Sequence, residues 1–234
     1  MTPPRHDGTN DGVGCAEGGV TTAIKVDIWS DVQCPWCYIG KRKFEQGVEQ
    51  SGVEVEVEYH SFELAPDTPV DFVGTPVDYL SARYRTSREE AQAMVDRVVG
   101  VAAEVGLAYD YDHIHQTNTV LVHELLHFAK ANGRQLELKE RLLRAYFIEG
   151  RHVGRADELA DLAAEAGLDR DQAAAALADH RFLADVKADM AQATAYGITG
   201  VPFYVIDGRY GVSGAQDAAI FAQALTQVAA EKAA

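Results

Sequence analysis

Residues 53–62, with the sequence VEVEVEYHSF, alternate apolar and acidic side chains over most of their length. A period of two places successive side chains on opposite faces of a β-strand, so the alternation predicts a strand rather than an amphipathic helix. The acidic face predicts either solvent exposure or a position at the edge of a sheet. This segment is the strongest strand signal in the chain.

Three further segments have strand character. Residues 23–30 (AIKVDIWS) alternate apolar and polar side chains, as a half-buried strand does. Residues 201–207 (VPFYVID) and 209–214 (RYGVSG) flank the dipeptide Asp207-Gly208, which favours a tight hairpin turn. The sequence therefore predicts a sheet that contains a C-terminal hairpin.

The central part of the chain, residues 64–196, has a different period. Its apolar residues recur at spacings of three and four, which is typical of amphipathic helices. Ser87 and Glu90 also form a capping-box pattern at the start of one such segment. The segments with helical period are 77–84, 88–105, 119–131, 136–148, 158–166, 170–177 and 182–196.

The order of these elements predicts an α/β protein. A mixed β-sheet with flanking helices is assembled from residues 23–63 and 197–234, and residues 64–196 form a large all-helical insertion. A helix over residues 35–50 joins the first two strands, and such a βαβ crossover makes them parallel and right-handed. The hairpin adds antiparallel strands, and a final helix closes the chain.

Charge and hydropathy limit the range of partners. The formal net charge is −15, which argues against nucleic acid or an anionic membrane as a partner. No apolar run is long enough to span a bilayer. Residues 1–22 predict a disordered tail that carries Cys15 as a free thiol, and they lack the apolar region of a secretory signal. We therefore expect a cytoplasmic protein.

Two of the three cysteines lie in SDVQCPWCYIGK, at Cys34 and Cys37, between the first strand and the following helix. Such a pair could bind a metal, form a static bridge or exchange disulfides. Structural zinc requires four ligands, and the only other cysteine is in the predicted tail. Cytoplasmic thiols are kept reduced, which disfavours a static bridge. The strand–helix context favours redox chemistry, and we predict no metal site.

The positions of the two cysteines predict different roles. Cys34 would lie at the helix N-terminus, where free N–H groups and the helix dipole stabilise a thiolate and lower its pKa. Cys37 would lie one turn deeper and resolve the mixed disulfide. Pro35 suits the first helical turn. With Trp36, it is a candidate for substrate contact.

The dipeptide Val201-Pro202 precedes a strand. X-Pro bonds adopt the cis form at low cost, and a cis Pro202 facing the cysteines would expose the Val201 backbone to an extended substrate. The alternative, which the residues alone favour, is a trans proline at the start of an edge strand.

Taken together, SDVQCPWCYIGK, the helical insertion and GVPFYVID-RYGVSGAQ resemble the DsbA-like thioredoxin-fold oxidoreductases, and most closely their FrnE-type branch. The resemblance covers residues 24–230 and implies a thioredoxin fold. It also implies a nucleophilic Cys34, a resolving Cys37 and a cis Pro202. The best-known DsbA proteins have histidine where this chain has Trp36, which implies a weaker oxidant.

HELLH at residues 123–127 matches the pattern of zinc proteases, in which His123 and His127 bind the metal and Glu124 acts as the base. Glu149 lies downstream, where a third ligand could occur. The alternative is a helix with a polar stripe and inward-facing leucines, which we favour. The family resemblance implies instead that Asn118 and His123 line the active-site groove.

These observations predict a disulfide oxidase or isomerase that acts on a protein or small molecule with a thiol or disulfide. No resident cofactor is expected, and glutathione is a candidate co-substrate. The rival is a glutathione-dependent isomerase or transferase, of the 2-hydroxychromene-2-carboxylate isomerase or kappa transferase kind. That class normally has one nucleophilic Ser or Cys, so Cys37 discriminates. A chaperone-like binding module is a further alternative, and the chain is expected to be a monomer or homodimer.

Overall fold

The sheet has four strands in the order β2-β1-β3-β4. The computed structural model describes residues 23–234, so the predicted tail and Cys15 lie outside the described residues. The elements are β1 (Ile24–Ser30), α1 (Pro35–Ser51), β2 (Val55–Ser61), α2 (Pro76–Tyr84), α3 (Arg88–Glu104), α4 (Val120–Ala131), α5 (Gln135–Phe147), α6 (Ala156–Glu165), α7 (Arg170–Ala178), α8 (Leu183–Ala195), β3 (Phe203–Ile206), β4 (Tyr210–Ser213) and α9 (Ala218–Ala233).

The predicted mixed sheet is confirmed. β1 pairs in parallel with β2, and Ile28 lies opposite Tyr59. β1 pairs with β3 and β3 with β4 in antiparallel fashion. Asp207 and Gly208 both have positive φ, 54° and 66°, as a two-residue hairpin turn of type I′ requires. This α/β arrangement is a thioredoxin fold.

β2 is an edge strand, as its acidic face predicted. Glu54 and Glu56 are exposed, whereas Glu58 lies 3.2 Å from Lys25 and also pairs with Lys130 of α4. Charged side chains along an edge strand oppose pairing with another chain.

The central part of the chain folds into seven helices, α2 to α8, close to the predicted boundaries. The predicted capping box is present: the Ser87 hydroxyl accepts from the Glu90 amide, and the Glu90 carboxylate accepts from the Ser87 amide. Within residues 23–234, no helix combines the length and apolar character that a bilayer crossing needs.

Two hydrophobic cores meet at the segment that carries the cysteines. The core of the helical region includes Val32, Tyr38 and Ile39, which flank or begin α1. The core of the sheet includes Phe44 of the same helix, packed against Tyr204 of β3. Helix α1 is therefore held from both sides.

A buried polar junction fixes the helices to the sheet. Asp189 of α8 accepts from the Ser61 amide at 2.7 Å and lies 3.0 Å from ring nitrogens of both His60 and His127. Burial alone would raise the pKa of Asp189, but these partners lower it below its usual range. The ionised carboxylate thus ties α8 and α4 to β2.

Candidate active site

Both cysteines lie where β1 passes into α1. Cys34 is the residue before the helix, with extended backbone (φ −83°, ψ 113°), and Pro35 begins the helix. Proline is tolerated there because the first helical N–H groups have no intrahelical partner. The Cys37 amide donates to the Cys34 carbonyl at 3.0 Å, which closes the first turn.

Both thiols are reduced, and both residues are only 3% exposed. Cys37 was expected to lie deeper than Cys34, but the two residues are equally buried. The Tyr109 hydroxyl donates to the Pro35 carbonyl at 2.8 Å, so residues of the helical insertion cover the start of α1. Cys34 lines a cavity in that cover, and Cys37 is not among its lining residues.

Val201 and Pro202 precede β3, the strand that pairs with β1, and Val201 contacts Cys34. The Cys34 thiol donates to the Val201 carbonyl over 3.4 Å, and the Val201-Pro202 peptide bond is cis. The cis alternative considered for this bond is therefore the one present. The Pro202 carbonyl accepts from the Gly214 amide at 2.8 Å, which holds the segment against β4.

The two sulfur atoms shift each other's pKa. The interaction with Cys37, followed by burial, raises the pKa of Cys34 well above its ordinary value. Burial alone would also raise the pKa of Cys37, but the Cys34 thiol and the positive charge of Lys139 lower it. The first negative charge of the pair is thus favoured on Cys37, whereas the helix N-terminus alone predicted Cys34.

Lys139 of α5 is a cation buried behind the pair. It is fully buried, and its Nζ has no hydrogen-bond partner among the described residues. Nζ lies 5.2 Å from the centre of the Tyr59 ring, within range of a cation–π contact. Burial lowers the pKa of Lys139, while negative charge on Cys37 and Asp31 opposes that shift. The sequence alone did not identify this residue.

Asp31 anchors the loop before Cys34. Its carboxylate is fully buried and accepts from the Leu64 amide at 2.8 Å and from the Thr119 hydroxyl at 3.2 Å. Burial would raise the pKa of Asp31, but contact with His123 and the amide donors lowers it. The pair of thiols therefore lies between a buried anion and a buried cation.

The cavity above Cys34 has a volume of about 390 Å³. Pro35 and Trp36 lie on its wall, and Trp36 is 37% exposed at the rim. The remaining wall comes mainly from α2, α3 and the end of α5. The aromatic lining residues are Trp36, Tyr79, Tyr84, Tyr111, Tyr146 and Phe147.

Asn118 and His123 are not among the residues that line this cavity. The Asn118 amide donates to the Pro66 carbonyl at 3.0 Å, and His123 is fully buried beside Asp31. Gln116 occupies the wall instead and donates to Gln33 at 2.7 Å. The sequence pointed to this segment through Asn118, and the residue that lines the cavity is Gln116, two positions earlier in the chain.

The HELLH side chains do not converge. His127 contacts Asp189, Glu124 contacts His180 at 2.8 Å, and His123 faces Asp31.

The histidine and carboxylate side chains close enough to share a cation, within the described part of the chain, are Asp27, Glu58 and His60. This group includes none of the HELLH residues. Lys25 lies 3.1 Å from Asp27 and 3.2 Å from Glu58 and supplies positive charge there.

One protein-family model matches most of the chain. The model of the DSBA-like thioredoxin domain matches residues 25–226. The uncharacterized protein YwbO of Bacillus subtilis is 30% identical over 207 residues, which are 87% of this chain and 96% of YwbO.

Solved structures with the same fold include a probable DsbA oxidoreductase of Streptomyces coelicolor. It is 43% identical with a TM-score of 0.82, over 89% of this chain and 91% of its own. The cytosolic disulfide reductase DsbM of Pseudomonas aeruginosa is 17% identical with a TM-score of 0.60, over 89% of this chain and 98% of its own. At that identity, DsbM shows the fold alone.

Proposed function

Because the chain belongs to the DsbA-like thioredoxin family of thiol–disulfide oxidoreductases, we propose that it exchanges disulfides through the Cys34–Cys37 pair. The observation that carries the proposal is the asymmetry of the two thiols. Cys34 lines a cavity that a substrate can enter, and Cys37 lies behind it beside Lys139.

The first step is attack by Cys34 on a substrate disulfide, R–S–S–R′. As the new bond forms, the Cys34 thiol loses its proton, and the Cys37 thiolate, on which the negative charge is favoured, accepts it. A Cys34–S–S–R bond forms, the substrate S–S bond breaks, and R′–S⁻ leaves with the electron pair and takes up a proton.

The second step is resolution by Cys37. Once Cys37 has lost its proton again, its thiolate attacks the Cys34 sulfur, the Cys34–Cys37 bond forms and R–S⁻ leaves. The buried charge of Lys139 stabilises the attacking thiolate. The substrate gains two electrons and the dithiol is oxidised. The reverse sequence transfers the disulfide to a substrate, and neither direction needs a cofactor.

Trp36 supports a weaker oxidant than periplasmic DsbA. Trp36 projects to the cavity rim, whereas a histidine at this place would stabilise the Cys34 thiolate and hence the reduced form. The CPWC segment and the GVPF segment at Pro202 support a place in the FrnE-type branch and an oxidase or isomerase role.

The test uses variants in a Cys15→Ser background, so that the active-site thiols alone react. Cys37→Ser should accumulate a mixed disulfide with glutathione, visible by intact mass, and Cys34→Ser should not. The Cys15→Ser parent should interconvert between dithiol and disulfide across glutathione redox buffers.

If the Cys15→Ser parent never forms the Cys34–Cys37 disulfide, the proposal is wrong. A Cys37→Ser variant with full multiple-turnover activity would also contradict it, because a single nucleophile would then suffice, as in the rival isomerase class.

A further inference from the structure

We propose that the cavity above Cys34 binds a low-molecular-weight disulfide or thiol that carries an anionic group, in preference to the disulfide of a folded protein. The inference rests on the proposed function and names the substrate class of that same site.

Access to the sulfur is the first argument. Cys34 is 3% exposed, and its cover comes from the helical insertion, which also holds the start of α1 through Tyr109 and Pro35. A disulfide embedded in a folded chain brings bulky backbone with it. A small molecule can instead enter the cavity of about 390 Å³, which lies within the size range of small-ligand sites.

The wall of the cavity fits an apolar body. Tyr146 and Phe147 are each 1% exposed and lie on the wall with Val95 and Val98 of α3. Trp36 stands at the mouth. Aromatic and aliphatic surface of this kind favours ligands with apolar area to bury.

The charge of the cavity is opposite to that of the chain. The formal net charge of the protein is −15, yet the described residues lining the cavity include two arginines and no acidic residue. Arg83 already pairs with Asp67 at 3.2 Å and with the Leu64 carbonyl at 2.9 Å. Arg97 has no carboxylate partner within residues 23–234, so its charge is available to an anionic ligand at the mouth.

A chain of hydrogen-bonded side chains extends along the cavity wall toward Cys34. The Tyr146 hydroxyl donates to Gln116 at 3.3 Å, and Gln116 donates to Gln33 at 2.7 Å. Gln33 and Cys34 are neighbours in the chain, so these amides lie where a polar group next to the reacting sulfur would be bound. The rest of the lining is mostly apolar, which makes the site selective for a ligand with both characters.

The reaction follows the two steps above. The reduced protein gives two electrons to the small disulfide, which leaves as two thiols. One of their protons comes from the Cys34 thiol and the other comes from solvent. The Cys34–Cys37 disulfide is the other product.

The first experiment measures single-turnover oxidation of the reduced protein, in the Cys15→Ser background. The probes are 3,3′-dithiodipropionate, which is anionic, cystamine, which is cationic and of similar length, and insulin as a protein disulfide. Each rate is divided by the rate at which dithiothreitol reduces the same probe, which corrects for the intrinsic reactivity of each disulfide. On this scale we expect the anionic disulfide to react fastest and insulin to react at least about tenfold more slowly.

Insulin reacting as fast as the small probes, or cystamine faster than the anion, would overturn the inference while leaving the proposed function intact. Failure of all three to oxidise the dithiol would instead count against the proposed function itself, and the inference would fall with it.

The second experiment tests the charge at the mouth with Arg97→Gln, and Arg181→Gln is the matched control. Arg181 is exposed, carries the same charge and lies outside the cavity. Loss of an exposed charge predicts a fall of about threefold for the anionic probe and a rise for cystamine. The control should change neither rate. Equal effects of the two variants would mean that the rate depends only on the net charge of the protein. That result would contradict the proposal that the anionic group binds at the cavity.

Access is tested by Met94→Trp. Met94 lies at the rim and is 45% exposed, so a larger side chain there narrows the mouth without entering a core. All small probes should slow in this variant. An unchanged rate for 3,3′-dithiodipropionate would show that the substrate reaches Cys34 by another route and would overturn the assignment.

Discussion

The carboxylate of Asp31 and the Nε2 atom of His123 lie 3.6 Å apart, and the exposed fraction of each side chain is 1% or less. Asp31 belongs to the loop before Cys34, and His123 belongs to α4 of the helical region. The contact therefore joins the active-site loop to the insertion. It also keeps an anion close to the thiols, since contact with His123 helps to hold the pKa of Asp31 below its ordinary value.

Removing the Asp31 charge should make the protein a stronger oxidant. The negative charge of Asp31 is one cause of the raised pKa of Cys34, so Asp31→Asn should lower that pKa and stabilise the reduced form. We expect the reduction potential to rise by roughly 10–30 mV. Equilibration with glutathione buffers measures the potential, and ultraviolet thiolate absorbance measures the titration.

Asp112→Asn is the matched control for Asp31→Asn. Asp112 is exposed, and its substitution makes the same change of net charge. The control should change neither the reduction potential nor the thiolate titration. A lower potential in Asp31→Asn would contradict the assigned sign.

Removing the Lys139 charge should have the opposite effect. The ammonium lowers the pKa of Cys37, so Lys139→Met should raise that pKa, reduce the thiolate fraction at neutral pH and lower the reduction potential. Methionine is of similar length and suits the buried site. Lys187→Met, at an exposed position of α8, is the control. An unshifted thiolate titration in Lys139→Met would show that this cation does not act on the pair.

The fold follows from local signals, and for that reason the sequence predicted most of it. The alternation in residues 53–62 specifies a strand with one polar face, and Asp207-Gly208 specifies a tight hairpin by its backbone preference. Each of these signals acts over a few neighbouring residues, so later packing did not override it. The pairing of β1 with β2 then follows from the short crossover.

The surroundings of the thiols were less predictable, because they come from distant segments. Lys139 reaches Cys37 only through the packing of α5 against β2, where Gln135 also bonds to both backbone groups of Tyr59, at 2.9 and 2.8 Å. The burial of Cys34 likewise depends on Tyr109 of the insertion. Nothing in the spacing of the cysteines carries that information.

The ion cluster around Glu140 should make stability depend on acid. Glu140 of α5 accepts from Tyr38 at 2.7 Å and pairs with Lys41 at 2.7 Å and with Arg42, all on α1. Burial alone would raise the pKa of Glu140, but Arg42 and Lys41 lower it to about 2. The ionised Glu140 carboxylate therefore makes its full contribution to the free energy of unfolding at pH values above its ordinary pKa of 4.5. This contribution is lost as the pH falls toward 2.

Glu140→Gln should lower the free energy of unfolding at pH 7 by about 1–2 kcal/mol, a range already reduced for the partial exposure of the carboxylate. The difference from wild type should shrink at about pH 3, where more of the unfolded-state carboxyl is protonated. Urea unfolding at both pH values measures it. Glu104→Gln, at an exposed position of α3, should show little difference at either pH, and a Glu140→Gln effect that grows in acid would contradict the assigned sign.

The close approach of α1 to the Pro202 segment depends on Gly40. A Cβ atom there would lie 2.7 Å from the Tyr204 hydroxyl and 3.0 Å from Pro202 Cγ, so Gly40→Ala must push α1 away from β3. We expect a loss of about 1–3 kcal/mol of stability from overpacking, together with slower disulfide exchange because Cys34 shifts relative to Val201. In the control, Gly100→Ala, the new methyl group meets no atom within 4 Å, so it should gain about 0.5–1 kcal/mol, as alanine does over glycine within a helix. Urea unfolding and single-turnover oxidation compare the two variants, and equal stabilities would mean that α1 and Pro202 are not in tight contact.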